Sequence, residues 1–411
     1  MTIQRKITTA IATGAVLAQV LSPIALADTQ ILDNGALSTN VVNTSVSNTS
    51  VVTQNNAASI SNVVSSNSST GGNKADFNTN GNNTIVTGAA TNVTHIDNNA
   101  NLNQATVAPC GACGANAGDV KISGNGAASH NTVNQAVNAN HNSADVTVVQ
   151  NNVANVSNGV SANANTGNNS GSFNTGGNTV IATGPAYTEV SVNNNLNQNR
   201  ALVGGAMAGV GAVTDPSLII NGNGALSTNV INSVRDSAVV LTQNNLASVA
   251  NVVASNANTG SNTGDFNTGG STMIVTGMAQ AKTIVDNAVN LNIANVDCSC
   301  LLGGASDVKI AGNGASGLNV VNDNHDSVVF ATQLSAAELL NGVGSNAATG
   351  SNSSVFGTGH TDSDPAILTG PATDMTIVST TSNANLYGTS SLPSALALSF
   401  DLSPIFGLLW W

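Results

Sequence analysis

The chain has 411 residues, of which 41% are apolar, 3% aromatic and 7% charged, with a formal net charge of -12. So few aromatic side chains exclude a conventional large globular core, which draws much of its burial from Phe, Tyr, Trp and Leu. The acidic balance excludes nucleic acid and anionic lipid as electrostatic partners, and β-branched residues recurring among 64 asparagines favour ordered, thin-cored β-structure over disorder.

Taken in chain order, Arg5 and Lys6 precede an apolar run from Ile7 to Leu21, and Ala25-Leu26-Ala27 offers the small-residue pattern that signal peptidase accepts. Residues 1–27 are therefore expected to be a cleavable signal peptide, which places the mature chain outside the cell or on its surface. Once Arg5 and Lys6 are removed, six basic residues remain against 20 acidic ones.

One unit then occurs four times, predicted as repeats over 28–119, 120–216, 217–306 and 307–391, followed by an apolar tail over 392–411. The unit opens with Asn34-Gly35-Ala36, Asn125-Gly126-Ala127, Asn223-Gly224-Ala225 and Asn313-Gly314-Ala315. A glutamine series (Gln54, Gln150, Gln243, Gln333) and a phenylalanine series (Phe77, Phe173, Phe266, Phe356) both step by 96, 93 and 90 residues, so insertions fall outside the stretch between them. Thr87-Gly88, Thr183-Gly184, Thr276-Gly277 and Thr369-Gly370 follow, then Asn101-Leu102, Asn195-Leu196, Asn290-Leu291 and Asn385-Leu386.

These features predict an all-β fold, an elongated β-solenoid or β-helix built from four repeats of about 93 residues. A string of β-sandwich domains is the alternative of matching size, but such domains need large inward side chains and usually a Trp. Within the third unit Asn229, Asn251, Asn267 and Asn287 are spaced by 22, 16 and 20 residues. That rhythm predicts several strand-turn-strand rungs per unit, about sixteen in all, in a rod of roughly 75 Å at the strand spacing. One rung buries few Val and Ile by itself, whereas a second rung covers them, and matching Asn or Gln side chains can hydrogen-bond up the stack. The Gln and Phe series are the candidate ladder residues.

The stretch Ser237 to Ala247 places Ser237 six residues before Gln243, then Asn245 and Ala247, and Ser327 precedes Gln333 in the same way. This pattern is weakly similar to the curlin repeat, although Asn48 and Ala144 replace the serine in the first two units and the Gln-to-Ala spacing is shorter than in curlin. More broadly the chain resembles Asn- and Gly-rich bacterial surface β-solenoids and adhesins. The curlin resemblance implies a subunit of an extracellular amyloid-like or biofilm-matrix fibre.

Cys110, Cys113, Cys298 and Cys300 fall in segments between units, and export makes local or interchain disulfides the expectation, with free thiols and a metal site as the other readings. Sixteen rungs would hold the two pairs several tens of ångströms apart, too far to bond to each other. His95, His130, His141, His325 and His360 occupy different places in their units and read as exposed loop residues. The segment His360-Thr361-Asp362-Ser363-Asp364 reads as an irregular terminal loop before a calcium or catalytic one. In the tail, Phe406, Trp410 and Trp411 suit a cap over the last rung, a docking strand or a membrane-interface anchor.

No catalytic, cofactor or metal residues are assigned, and the chain is not expected to be an enzyme. The expected function is that of a secreted or cell-surface structural or adhesive repeat protein, forming a rod or fibre in a surface layer, biofilm matrix or adhesin stalk. Its expected partners are copies of itself, other surface proteins or polysaccharide, with membrane contact only through the tail. A carbohydrate-active β-helix, a lyase or hydrolase, is the alternative.

Overall fold

In the computed structural model, described over residues 4–12, 16–19, 28–47, 49–107, 119–137, 146–204, 217–296, 307–358 and 365–388, the chain is all-β, with no helix among these residues. Two strands lie within residues 1–27, β1 (Gln4–Ala12) and β2 (Val16–Gln19). The first repeat runs β3 (Thr29–Leu32), β4 (Thr39–Val46), β5 (Ser50–Ser69), β6 (Asn83–Val86) and β7 (Ala90–Val107). The second retraces this path as β8 (Val120–Ser123), β9 (His130–Val137), β10 (Val146–Asn165), β11 (Thr179–Ala182) and β12 (Ala186–Val203). In the third, β13 (Leu218–Asn221) leads to one long strand, β14 (Thr228–Asn258), then β15 (Thr272–Val275) and β16 (Ala279–Val296). The fourth has β17 (Val308–Ala311), β18 (Leu318–Ala348), β19 (Ala366–Leu368) and β20 (Ala372–Tyr387).

Every strand of a repeat pairs parallel and in register with its counterpart in the next. Gln54 lies opposite Gln150, Gln150 opposite Gln243 and Gln243 opposite Gln333. The pairing offset is therefore the repeat length itself, and one rung is one whole unit. This confirms the β-solenoid and excludes a string of separate sandwiches. It also corrects the subdivision into sixteen rungs: the stack has four, and first and last lie only about 14 Å apart at the strand spacing. The spacing of Asn229, Asn251, Asn267 and Asn287 marks buried positions around a single rung. Side-chain alternation and turn chemistry look the same whether a rung takes twenty residues or ninety, so the local rhythm did not reveal the length of the coil.

The core lies between two long sheets. Inward positions along β10 (Val148, Gln150, Asn152, Ala154, Val156, Asn158, Val160, Ala162, Ala164) are buried, while their neighbours are more open. They face β7, β12 and β16: Val148 and Leu241 pack with Ala201 and Val203, Val156 and Val249 with Leu196 and Val289, and Val160 and Val253 with Val192 and Val285. Each repeat adds apolar side chains to the same columns, its Val, Leu and Ile each worth about 1.5–3 kcal/mol when fully buried. The first half of the long wall is covered by the short strands instead, with Ile122 and Ile220 against Val133 and Ile231.

Corners with positive φ recur in register, among them Leu37, Ala128, Leu226 and Ser316, and Phe77, Phe173, Phe266 and Phe356. Another such position interrupts the second sheet at Asn101, Asn197, Asn290 and Asn383, a conformation that Asn tolerates better than most residues. This register corrects the Asn-Leu landmarks in two units: Asn195 lies opposite Asn99, and Asn385 opposite Asn292, the successor of Leu291.

Candidate functional site

Columns of glutamine and asparagine side chains that line the interior are engaged by neighbouring repeats. Gln150 donates from Nε2 to Gln54 Oε1 (2.7 Å), Gln243 to Gln150 (2.8 Å) and Gln333 to Gln243 (2.7 Å). The same amides also donate across the core to the carbonyls of Gln104, Arg200, Ile293 and Leu386. The predicted glutamine ladder is thus a continuous hydrogen-bonded column that also ties the two sheets together.

Asparagine builds a second, double column. Asn62 donates to Asn158, Asn158 to Asn251 and Asn251 to Asn341, each at 2.7 Å. On the facing sheet Asn98 donates to Asn194 and Asn194 to Asn287, also at 2.7 Å. The columns interlock through Asn98 to Asn158 (3.0 Å) and Asn158 to Asn194 (3.1 Å). A primary amide carries two donors and an acceptor with two lone pairs, which is what one bond up the column and one across requires. Buried amides satisfied in this way fix register, because a one-residue slip would leave all of them unpaired.

The phenylalanine series forms a column of stacked rings on the corner, with centroids 5.0, 5.0 and 4.9 Å apart from Phe77 to Phe356. The end rings, Phe77 and Phe356, are each 74% exposed, against 47% and 44% for Phe173 and Phe266. Beside them Asp76 Oδ1 accepts from Ser170 Oγ (2.6 Å) and the Ser172 amide (2.7 Å), and Asp265 Oδ1 accepts from Ser353 Oγ (2.7 Å) and the Val355 amide (2.9 Å).

Charged side chains gather on the outward face of the second sheet. Tyr187 donates its hydroxyl to Glu189 Oε2 (2.7 Å), and Lys282 Nζ lies 2.9 Å from Glu189 Oε1. Burial opposes ionisation of Glu189, but hydrogen bonds from Tyr187 and Lys282, with the charges of Lys282 and His95, outweigh it and hold the carboxyl below its usual range. Burial and the neighbouring Glu189 push the Tyr187 hydroxyl well above its ordinary value. The group is an ion-pair clamp between the second and third rungs. Asp286 is shifted the other way, raised by burial against hydrogen bonds from Ser379 and the Asn287 backbone.

His95 Nε2 lies 2.7 Å from Asp97 and His325 Nε2 3.0 Å from Asp323, so these two histidines do have carboxylate neighbours on their own strands. His130 is exposed. Among the described residues, no three His, Cys, Asp or Glu side chains come together in a group able to hold a metal. His141, the segment 360–364, the four cysteines, and Phe406, Trp410 and Trp411 lie outside the described residues. The sixteen-rung count behind the expected separation of the cysteine-bearing segments is nevertheless corrected. Val107 and Val296, which precede the two cysteine-bearing segments, occupy the same register position two rungs apart, about 10 Å at the strand spacing.

No protein-family model, curated protein or solved structure matches the chain. The sequence disclosed the Gln and Phe columns but not the Asn columns, because asparagine is frequent in turns as well as ladders. The signal that identifies them is the ladder's own offset: Asn62, Asn158, Asn251 and Asn341 repeat the 96, 93 and 90 steps of the Gln and Phe series.

Proposed function

We propose that the mature chain is an exported structural protein, a stiff β-scaffold that contributes to a surface layer, fibre or extracellular matrix. The observation that carries this reading is that the interior amides of each repeat serve to hold the next one, as in the Gln54–Gln150–Gln243–Gln333 column. Fully satisfied columns favour rigidity and unique register over an open, hydrated cleft. The leader pattern supports export through residues 1–27, and the similarity of Ser237 to Ala247 to the curlin repeat points to the same class. Adhesive contacts fall to the connectors 108–118, 205–216 and 297–306, where the units differ most in sequence.

The test is immunolabelling of intact source cells with antibody raised against residues 28–411, before and after surface proteolysis. The reading predicts label outside the cell that protease removes. Antigen confined to the cell interior would overturn it.

A further inference from the structure

The four rungs end in two open faces. Among the described residues, β17, β18, β19 and β20 have strand partners on one side only, and so do β3, β4, β5 and β6. We propose that copies of this chain stack head to tail, the fourth repeat of one seating in register on the first repeat of the next. The proposal rests on the structural-protein reading and names its partner as a second copy. Four observations carry it.

The fourth repeat leaves its core open. Val378 is 47% exposed, although Ile96, Val192 and Val285 at the same register position are fully buried. Ile367 repeats the pattern beyond Ile181 and Ile274.

The first repeat lacks a donor that another fourth repeat would supply. Asn101 donates to Asn197, Asn197 to Asn290 and Asn290 to Asn383. Asn101 Oδ1 is buried and accepts no hydrogen bond among the described residues. In the stack of processed chains it receives the Asn383 amide of the preceding copy.

Glycine is kept at both ends where a single copy has no need of it. A Cβ on Gly71, Gly167 or Gly260 would overlap the carbonyl oxygen of Gly167, Gly260 or Gly350 in the next rung, and a Cβ on Gly184, Gly277 or Gly370 would overlap the backbone of Gly88, Gly184 or Gly277. Gly350 and Gly88 are the end members of these two series. A Cβ on either meets nothing within 4 Å, and neither has positive φ. Stacking restores the constraint at both, with Gly350 against Gly71 of the next copy and Gly88 against Gly370 of the preceding one.

The repeats alternate in kind, and only an even repeat placed on an odd one continues the alternation. Asp76 and Asp265 alternate with Ser172 and Val355, Asp97 and Asp286 with Asn193 and Ser379, Val63 and Val252 with Gly159 and Gly342, and Leu37 and Leu226 with Ala128 and Ser316. In these four columns the alternation keeps like charges from lying directly opposite and sets each bulky side chain beside a small one, whereas Asp236 lies opposite Asp326 and Asp28 opposite Asp119. Of the fourth repeat's acids, Asp323, Glu338 and Asp374 would lie opposite the uncharged Thr44, Ser59 and Asn92, and Asp307 opposite Asp28.

In the unprocessed chain the seat is taken. The leader strand β1 pairs with β7 from Val93 onward, and β2 pairs with Gln104 to Val107, along the edge that β20 of a preceding copy would occupy. Removal of residues 1–27 therefore precedes growth at that end.

The test uses the processed chain, residues 28–411, examined by sedimentation, negative-stain microscopy and fibre diffraction. The expected result is fibres with an axial repeat of about 19 Å, four strand spacings. Gly350→Ala and Gly88→Ala are each expected to keep the circular dichroism and melting transition of the parent while the sedimentable fraction falls roughly tenfold or more. Gly344→Ala, also with open space around its Cβ but opposite Ala254 in the third repeat, retains fibres. Single copies at every concentration, or fibres indifferent to both alanines, would overturn the stacking. Single copies displayed outside the cell would leave the structural reading intact, whereas antigen confined inside would remove that reading whatever the assembly state.

Discussion

Gln243 donates its side-chain amide to Gln150 Oε1 at 2.8 Å, although the two residues are 93 positions apart in the chain. Both are fully buried. Replacing Gln243 by Leu removes the donor to Gln150 and to the Ile293 carbonyl, and the acceptor of Gln333. Each buried group left unpaired costs about 1–3 kcal/mol. The denaturation midpoint of Gln243→Leu is therefore expected to fall clearly below that of Gln333→Leu, which breaks the column only at its half-buried end.

The aromatic column gives a graded prediction. Phe173→Ala removes two ring contacts and Phe77→Ala one. Stacked pairs contribute about 0.5–1.5 kcal/mol each beyond burial, so the middle substitution is expected to cost about twice the end one in chemical denaturation.

Backbone contact between rungs is tightest at the glycine corner. Gly260→Ala drives a methyl group into the Gly350 carbonyl, and only backbone movement can relieve it. We expect it to abolish cooperative folding or lower the melting temperature by many degrees, while Gly344→Ala leaves it unchanged. Circular dichroism melts of the two variants make the comparison.

The Glu189 clamp sets a pH dependence. Its folded pKa lies below the unfolded value, so its contribution to stability is complete above the unfolded pKa and is lost as pH falls through the folded one. Glu189→Gln is expected to lower stability at neutral pH and to flatten the acid limb of the stability curve. Asp286, with its pKa raised, works in the opposite sense: its contribution is present at low pH and is lost as pH rises through the folded pKa. Asp286→Asn is therefore expected to gain relative to the parent as pH rises, and urea titrations at several pH values read both effects.

The fold class and repeat count were legible because Gln and Phe recur at identical offsets, and stacked rungs must repeat their inward residues. The length of a rung was not. A strand's period of two and an Asn-rich turn are local features, and Asn251 in mid-strand carries the same local signature as an asparagine that closes a short coil. What distinguishes them is the partner, and for Asn251 the partners are Asn158 and Asn341, one full unit away on either side. The landmark at Asn195 slipped for a related reason: in a strand crowded with asparagine the Asn195-Leu196 pair falls two places before Asn197, the residue opposite Asn101. The charged clamp carries no local motif; its one signal is the 93-residue offset between Glu189 and Lys282, the same step as Gln150 to Gln243.

The most direct measurement of the central claim, that one rung is one whole unit, is a disulfide across the outward Asn ladder. Asn55 and Asn151 are paired in register, and the Asn151 amide donates to Asn55 Oδ1 at 2.7 Å. With the four native cysteines changed to serine, Asn55→Cys with Asn151→Cys is predicted to close an intramolecular disulfide on mild oxidation. Adjacent strands hold their Cα atoms about 4.8 Å apart, within the span a disulfide bridges. Asn55→Cys with Asn244→Cys, two rungs apart, is predicted to stay reduced. Failure of the first pair to close, in a folded chain, would contradict the four-rung stack.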